Sequence, residues 1–306
     1  MKDLKNKCKI AVVQAAPVMF DKAACVDKAV TLTAECARGG AEFIVFPELF
    51  VPGYPYGMTF GFSVGRRDES KRRDWLMYYE NSIVVPGAES EKLAEAARSA
   101  GVWLSIGISE RDAVTATLYN SNLIFAPDGS LAARHRKLKP TGSERVVWGD
   151  ADSGFFPVAE TPWGGAGCLI CWESYMPLAR AALYQKGVTL YLAPNTNDYE
   201  QWLCTMRHIA VEGRCYVINC DMFFTRGDYP QGLACAEEIA ALPDAVCRDG
   251  SCVIDPRGEY VTKPLWDGEG IIYADLDMSL VAASRMEFDP CGHYSRPDVL
   301  RLEVRE

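Results

Sequence analysis

The sequence predicts an α/β protein whose sheet mixes parallel and antiparallel strands. Apolar, β-branched segments alternate with a helical one at residues 10–15, 21–37 and 41–46, and the same alternation returns between residues 177 and 220. Between these regions, residues 118–126 and 131–135 flank Pro127-Asp128-Gly129-Ser130, a turn sequence that specifies a hairpin and therefore antiparallel pairing.

In order along the chain, residues 10–15 form a first strand, and Asp21 opens a helix that ends at Gly39-Gly40. Residues 41–46 form a buried strand that Pro47-Glu48 terminates. Residues 50–65 are rich in Gly, Pro and aromatics, and a loop of that length in a compact domain is usually functional. Helices are expected over 70–82 and 88–100, the second stopped by Gly101, and a strand over 102–108. After the hairpin, residues 138–153 are polar and turn-rich. Strands at 155–159 and 167–170 lead to Pro177, which is preset for a first helical position. A helix over 177–186, a strand over 188–193, a helix over 200–214 and a strand over 215–220 follow, while 222–245 reads mostly as loop. Residues 251–254 and 271–274 read as a late hairpin around Asp255-Pro256-Arg257-Gly258, before a short helix at 278–286 and an extended tail from about residue 288. With no repeat, low-complexity stretch or linker, residues 1–306 read as a single domain.

A net charge of −9 opposes nucleic-acid and anionic-membrane partners, which need a basic surface. Small molecules fit better. No apolar run approaches the length of a membrane span. The lysines before Ile10 imitate a signal peptide, but Gln14 and Pro17 cut the apolar run short. The twelve cysteines lie mostly within apolar segments, which fits a reducing cytoplasm better than a disulfide scaffold.

Cys171 stands out among them because it falls at a strand-to-helix bend, where free backbone N–H groups favour thiolate and receive an oxyanion. Packing is the commoner fate of a cysteine at a strand end, so its partners decide. None of the three histidines, His135, His208 and His293, carries a local Cys–His signature. Glu48 is carried to the end of a buried strand, where an apolar mouth would raise its pKa toward that of a general base, although a loop-bracing role is equally open. Lys137 and Lys139 flank Leu138 and point to the same side of an extended chain, so spacing does not choose between them. Glu144 is placed either to orient a lysine or to pair with Arg145. The Cys168-x-x-Cys171 spacing does not suit disulfide exchange, because Leu169-Ile170 prolongs an apolar strand. No second CxxC completes a zinc site, and Gly164-Gly165-Ala166-Gly167 precedes a strand where a dinucleotide fingerprint would follow one.

With these residues in hand, the chain resembles the nitrilase superfamily and, within it, the true nitrilases. Phe46-Pro47-Glu48-Leu49-Phe50-Val51-Pro52-Gly53-Tyr54-Pro55 resembles the family's glutamate motif, Arg136-Lys137-Leu138-Lys139-Pro140-Thr141 its lysine motif, and Cys171-Trp172-Glu173 with Met176-Pro177 its cysteine motif. Similarity continues through Pro194-Asn195-Thr196-Asn197-Asp198 and through Gly292-His293-Tyr294-Ser295-Arg296-Pro297-Asp298. The resemblance implies a four-layer αββα sandwich of mixed sheets. It favours Lys137 over Lys139, and implies Cys171 as nucleophile, Glu48 as general base, Lys137 as electrostatic stabiliser and Glu144 as a second, positioning carboxylate. Tyr54, Trp172 and Asn195 are the expected substrate contacts, and no metal or organic cofactor is required. The implied reaction takes a nitrile to a carboxylic acid and ammonia. An amidase of the same superfamily is the alternative, and a non-catalytic binding or assembly protein is disfavoured by the full set of acid, base and nucleophile. A homodimer or higher homo-oligomer is expected, and because the chain stops soon after Asp298, a dimer before a filament.

Overall fold

The computed structural model of the protein describes residues 4–197 and 199–305. The first half of the chain lays down β1 (Lys7–Gln14), α1 (Lys22–Arg38), β2 (Phe43–Val45), a small hairpin of β3 (Phe62–Ser63) and β4 (Arg66–Arg67), α2 (Arg72–Glu80), α3 (Ala88–Ala100), β5 (Trp103–Arg111), β6 (Leu118–Phe125) and β7 (Leu131–Arg136). The second half adds β8 (Val158–Thr161), β9 (Gly164–Cys168), α4 (Pro177–Gln185), β10 (Val188–Asn195), α5 (Glu200–Gly213), β11 (Tyr216–Asp221), β12 (Phe224–Thr225), α6 (Ala236–Ala240), β13 (Ala245–Cys247), β14 (Asp249–Ile254), β15 (Tyr260–Trp266), β16 (Gly270–Asp277) and α7 (Ser279–Arg285).

Two six-stranded sheets result, in the orders β16-β1-β2-β5-β6-β7 and β15-β14-β11-β10-β9-β8. β1, β2 and β5 run parallel, whereas β16 pairs with β1, and β6 with both β5 and β7, in antiparallel fashion. The strand period of two sorts their side chains. Ile10, Val12 and Val45 of one sheet meet Leu190, Leu192 and Ile218 of the other in a shared interior. The alternate residues Ala11, Val13 and Ile44 pack outward with residues of α1 and α3, and Tyr191, Ala193 and Val217 do the same with α4 and α5. The layers are therefore helix, sheet, sheet, helix: the αββα sandwich. Because both faces of the central strands are covered, they read in sequence as continuous apolar runs.

Local chemistry fixes the helix ends. The Asp21 carboxylate accepts from the Ala24 N–H to cap α1, whose buried Cys25, Val26, Ala29, Thr33 and Cys36 form one stripe. Gly101 ends α3 in the left-handed conformation, at φ 66°.

Several boundaries differ from the sequence reading. β9 begins at Gly164 and stops at Cys168, so Leu169 and Ile170 lie outside the sheet. The turn at Pro162-Trp163 joins β8 and β9 as a hairpin, and the glycines stand inside the strand because its neighbours press close. A Cβ on Gly167 would lie 2.8 Å from Val188 Cγ2 and 3.0 Å from Leu183 Cδ2. The late hairpin pairs β14 with β15, and β16 crosses to the other sheet beside β1. Pro264 and the charged Lys263 hid β15, which tolerates proline because it is an outer strand. Residues 222–245 hold β12 and α6 and reach the start of β13, and the helix expected from residue 70 is a 3₁₀ turn, Glu69–Lys71, followed by α2.

Candidate active site

Glu48 is delivered by the turn that follows β2, in which Leu49 takes φ 51°. That turn seats directly on β5. A Cβ on Gly107 would lie 2.3 Å from the Pro47 carbonyl oxygen and 2.7 Å from Glu48 Cα, so glycine is required for the approach. The Glu48 side chain is fully buried. Its Oε1 accepts from Lys137 Nζ at 2.9 Å and from Asn120 Nδ2 at 2.6 Å, while Oε2 is buried without a hydrogen-bond partner among the described residues. Burial pushes this carboxyl above the ordinary carboxylate range, and Glu144 adds to the effect against the opposing Lys137.

Lys137 follows β7, and alternation separates it from its neighbours. Arg136 turns out to Glu110 and Asp152, whereas Lys137 turns in and is fully buried. Lys139 pairs at the surface with Asp150, 2.6 Å away, so the structure brings only Lys137 to Glu48. Lys137 Nζ also donates to Glu144 at 2.8 and 3.1 Å. Glu144 is set by the 3₁₀ turn Gly142–Val146, and its carboxylate accepts from the Thr141 N–H at 2.7 Å and from the Tyr54 hydroxyl at 2.7 Å. Arg145 donates instead to the Pro140 carbonyl, so Glu144 serves the lysine. Burial alone would depress the Lys137 ammonium, but the Glu48 and Glu144 carboxylates beside it outweigh this and hold it above the ordinary lysine range.

Cys171 is the first residue of the 3₁₀ turn Cys171–Tyr175 and adopts φ 52°. A left-handed backbone at a residue with a Cβ costs roughly 1–2 kcal/mol, which the surrounding packing must hold in place. Asn197 Nδ2 donates to Sγ at 3.2 Å. Burial raises the Cys171 thiol well above its ordinary value, and the Glu48 charge adds to this against Lys137. Cys168 faces the sandwich interior and packs there.

Of the expected substrate contacts, Tyr54 lines a cavity of about 460 Å³ whose wall also includes Tyr56, Met58, Glu144, Val147 and Trp148. Trp172 is not part of that wall. It is 46% exposed, and its indole N–H donates to Asn197 Oδ1 at 2.8 Å and to the Tyr199 hydroxyl at 3.1 Å. Asn195 is corrected more sharply: it is fully buried, Nδ2 donates to the Ala193 carbonyl and to Asn219 Oδ1, and Oδ1 accepts from the Asn197 N–H. Its amide is occupied within the protein, which withholds it from a ligand. Asp198, at the end of the same similar stretch, lies outside the described residues.

Residues 9–286 match the family model described as carbon-nitrogen hydrolase. The chain belongs to the carbon-nitrogen hydrolase family. It is 47% identical over 302 residues to an aliphatic nitrilase of Sinorhizobium fredii, covering 98% of this chain and 96% of that one. It is 44% identical over 299 residues to nitrilase 2 of Arabidopsis thaliana, covering 96% and 88%. Among solved structures, the fold is similar to that of Saccharomyces cerevisiae Nit3, a member of branch 10 of the nitrilase superfamily, with a TM-score of 0.75 at 24% identity over 97% of this chain and 99% of that one. An amidase from Nesterenkonia sp. aligns with a TM-score of 0.69 at 19% identity, over 94% and 97%.

Two buried residues of this carbon-nitrogen hydrolase had no role in the sequence reading. Asn197 is one, since nothing in its spacing distinguishes it from Asn195. Glu173 is the other, and its place beside Cys171 and Trp172 was the available signal. Its Oε1 accepts from the Leu138 N–H at 2.6 Å, and Oε2 from the Ile170 N–H at 2.7 Å and from His135 Nε2 at 2.8 Å. One carboxylate thus ties the segment after Lys137 to the segment before Cys171. His135 is committed to that contact, and His208 and His293 are exposed. Glu173→Gln puts an N–H₂ group among these donors and is expected to destabilise the fold by about 2–4 kcal/mol, read as a lower midpoint in urea. A wild-type midpoint would show that the bridge carries no weight.

Proposed function

We propose that this carbon-nitrogen hydrolase is a nitrilase that converts an organic nitrile to its carboxylic acid and ammonia on Cys171, Glu48, Lys137 and Glu144. The observation that carries the reading is the buried cluster itself, in which Glu48 offers one carboxylate oxygen without a hydrogen-bond partner among the described residues, beside the Lys137 ammonium, while the Asn197 amide reaches Cys171 Sγ. Cys171 Sγ attacks the nitrile carbon as its proton passes to Glu48, and the π electrons move to nitrogen, which Glu48 then protonates to give a thioimidate. Lys137 and the backbone N–H groups opening the Cys171–Tyr175 turn stabilise the charge as it develops. Glu48 next takes a proton from water adding to that carbon and returns it to nitrogen, giving a tetrahedral adduct that carries a hydroxyl and an amine; the hydroxyl proton then passes through Glu48 to the amine as the C–N bond breaks, and ammonia leaves a thioester. A second water, activated in the same way, forms the acid and restores the thiol. Glu144 holds Lys137 against the site, and Tyr54 holds Glu144.

The full-length relatives named as nitrilases favour this reading over the amidase alternative, since the Nesterenkonia likeness supports the fold alone. Ammonia and acid release from aliphatic, aryl and arylacetonitriles, with the matching amides run alongside, tests it. Turnover of amides but not nitriles would assign the chain to the amidases. The pH dependence follows from Glu48. Only its ionised form accepts a proton, so kcat/KM rises with pH through its elevated pKa, and the acid limb should have a midpoint above the ordinary carboxylate range. A rate that stays flat down through that range would remove Glu48 as the base.

A reducing cytoplasm belongs to the same reading, supported by the burial of ten of the twelve cysteines, with Cys204 and Cys291 exposed. So does a homodimer, supported by exposed Leu178 and Val211 on the outer helices α4 and α5. Light scattering that found only monomer at micromolar concentration would overturn the dimer.

A further inference from the structure

We propose that Asn197 is a further catalytic residue, whose side-chain N–H holds the reacting sulfur of Cys171 and stabilises it whenever it carries negative charge. This rests on Cys171 being the nucleophile, and it adds a partner that the Glu48, Lys137 and Glu144 cluster does not supply. The geometry is over-determined. Asn197 is 7% exposed, and its Nδ2 lies 3.2 Å from Sγ and 3.3 Å from Asn195 Oδ1. On the other side, Oδ1 accepts the Trp172 indole N–H at 2.8 Å. An indole nitrogen only donates, so the opposite orientation of the amide would set donor against donor at Trp172 and oxygen against oxygen at Asn195.

Asn195 is fixed by the same logic. Its Nδ2 donates to Asn219 Oδ1, which also accepts from Trp202 Nε1 at 2.8 Å, and Asn219 Nδ2 donates to the Gly250 carbonyl at 2.9 Å. Two tryptophan N–H groups, one at each end, therefore orient a chain of three amides that delivers an N–H to Cys171. Such a chain is apt for this site because it adds no charge. The groups facing Cys171 are Glu48, Lys137, Glu144, Tyr54 and Tyr199, and a further ammonium would be drawn to the carboxylates instead of the sulfur. During the reaction the bond favours sulfur twice, as its proton leaves for Glu48 and as it is expelled from the thioester. Trp172, expected from the sequence to line the substrate, acts through Asn197.

The test reads the sulfur directly. Alkylation of Cys171 by iodoacetamide is followed against pH on the full-length enzyme, with modification of that residue quantified by mass spectrometry and Cys171→Ala as the blank. Asn197→Ala and the isosteric Asn197→Asp should move the alkylation profile to higher pH and slow it about tenfold at neutral pH, the scale of one lost hydrogen bond to a charged group. Trp172→Phe, which leaves Asn197 in place but frees its amide to rotate, should shift the profile the same way by less. Wild-type profiles in folded Asn197→Asp and Trp172→Phe would overturn the proposal, whatever happens to kcat and even if Asn197→Ala fails to fold. Full nitrile hydrolysis by the Cys171→Ala blank would instead overturn the nucleophile assignment, an outcome the alkylation profiles do not mimic.

Discussion

Cys171→Ala is expected to lower kcat for nitrile hydrolysis by about 10⁴-fold or more while the protein stays folded, because the covalent route has no other entry. The substitution keeps the Cβ and the φ 52° backbone and removes only a sulfur whose polar contact is the Asn197 amide. Cys168 offers no substitute, since it ends β9 and packs in the sandwich interior, whereas the Asn197 amide reaches Cys171 beyond that strand. Ammonia release measured beside a thermal melt decides the matter. A folded variant retaining more than about a tenth of the wild-type rate would end the mechanism proposed above.

The second large effect belongs to Lys137→Met, and it reaches stability as well as rate. Lys137 Nζ touches both Glu48 and Glu144, and without it two buried carboxylates face each other. Breaking a buried pair in this way costs about 3–5 kcal/mol, because one charge is left uncompensated. The variant has an escape: one carboxyl can hold a proton, its folded-state pKa rising above its unfolded value. The folded form then binds more protons than the unfolded one, so the stability lost at neutral pH is recovered as pH falls toward about 5. Urea midpoints across that range should show the gap between variant and wild type narrowing on the acid side. An equal midpoint at neutral pH would show that the lysine is not holding the carboxylates. Nitrile turnover should be lost with it, by about 10²–10³-fold, as expected for removal of one preorganised donor.

Much of the architecture was legible because the elements obey simple periods. The strands and helices themselves, α1, α3 and the central strands among them, follow from apolar runs, capping Asp21 and terminal glycines at 39 and 101, whereas their stacking into an αββα sandwich came from resemblance. What escaped were elements whose identity tertiary context decides. β15 carries Pro264, legible as a strand only once it is known to lie at an edge, and β9 is built of glycines whose value lies in what packs against them. Within the site, a carboxylate after a buried strand and a basic stretch after a hairpin were suggestive, but the choice of Lys137 over Lys139 came from resemblance. The burial of one and the Asp150 partner of the other supply the physical reason. Asn195 and Asn197 differ by two positions and share a residue type. Only the direction of their hydrogen bonds, invisible in sequence, separates the one that braces from the one that reaches sulfur.

The bridge made by Glu173 has a mechanical meaning. Glu48 and Lys137 hang from the ends of β2 and β7 in one sheet, while Cys171 and Asn197 follow β9 and β10 in the other. No single sheet therefore contains the reaction coordinate, and the gap between base and nucleophile is metered by the thickness and slip of the sandwich. Val12, Val45, Leu192 and Ile218, which bring no polar side-chain group to the reaction, act as the shims that set it, with Glu173 as the pin that stops the two plates from sliding. In this chain the hydrophobic core is also the gauge of the active site.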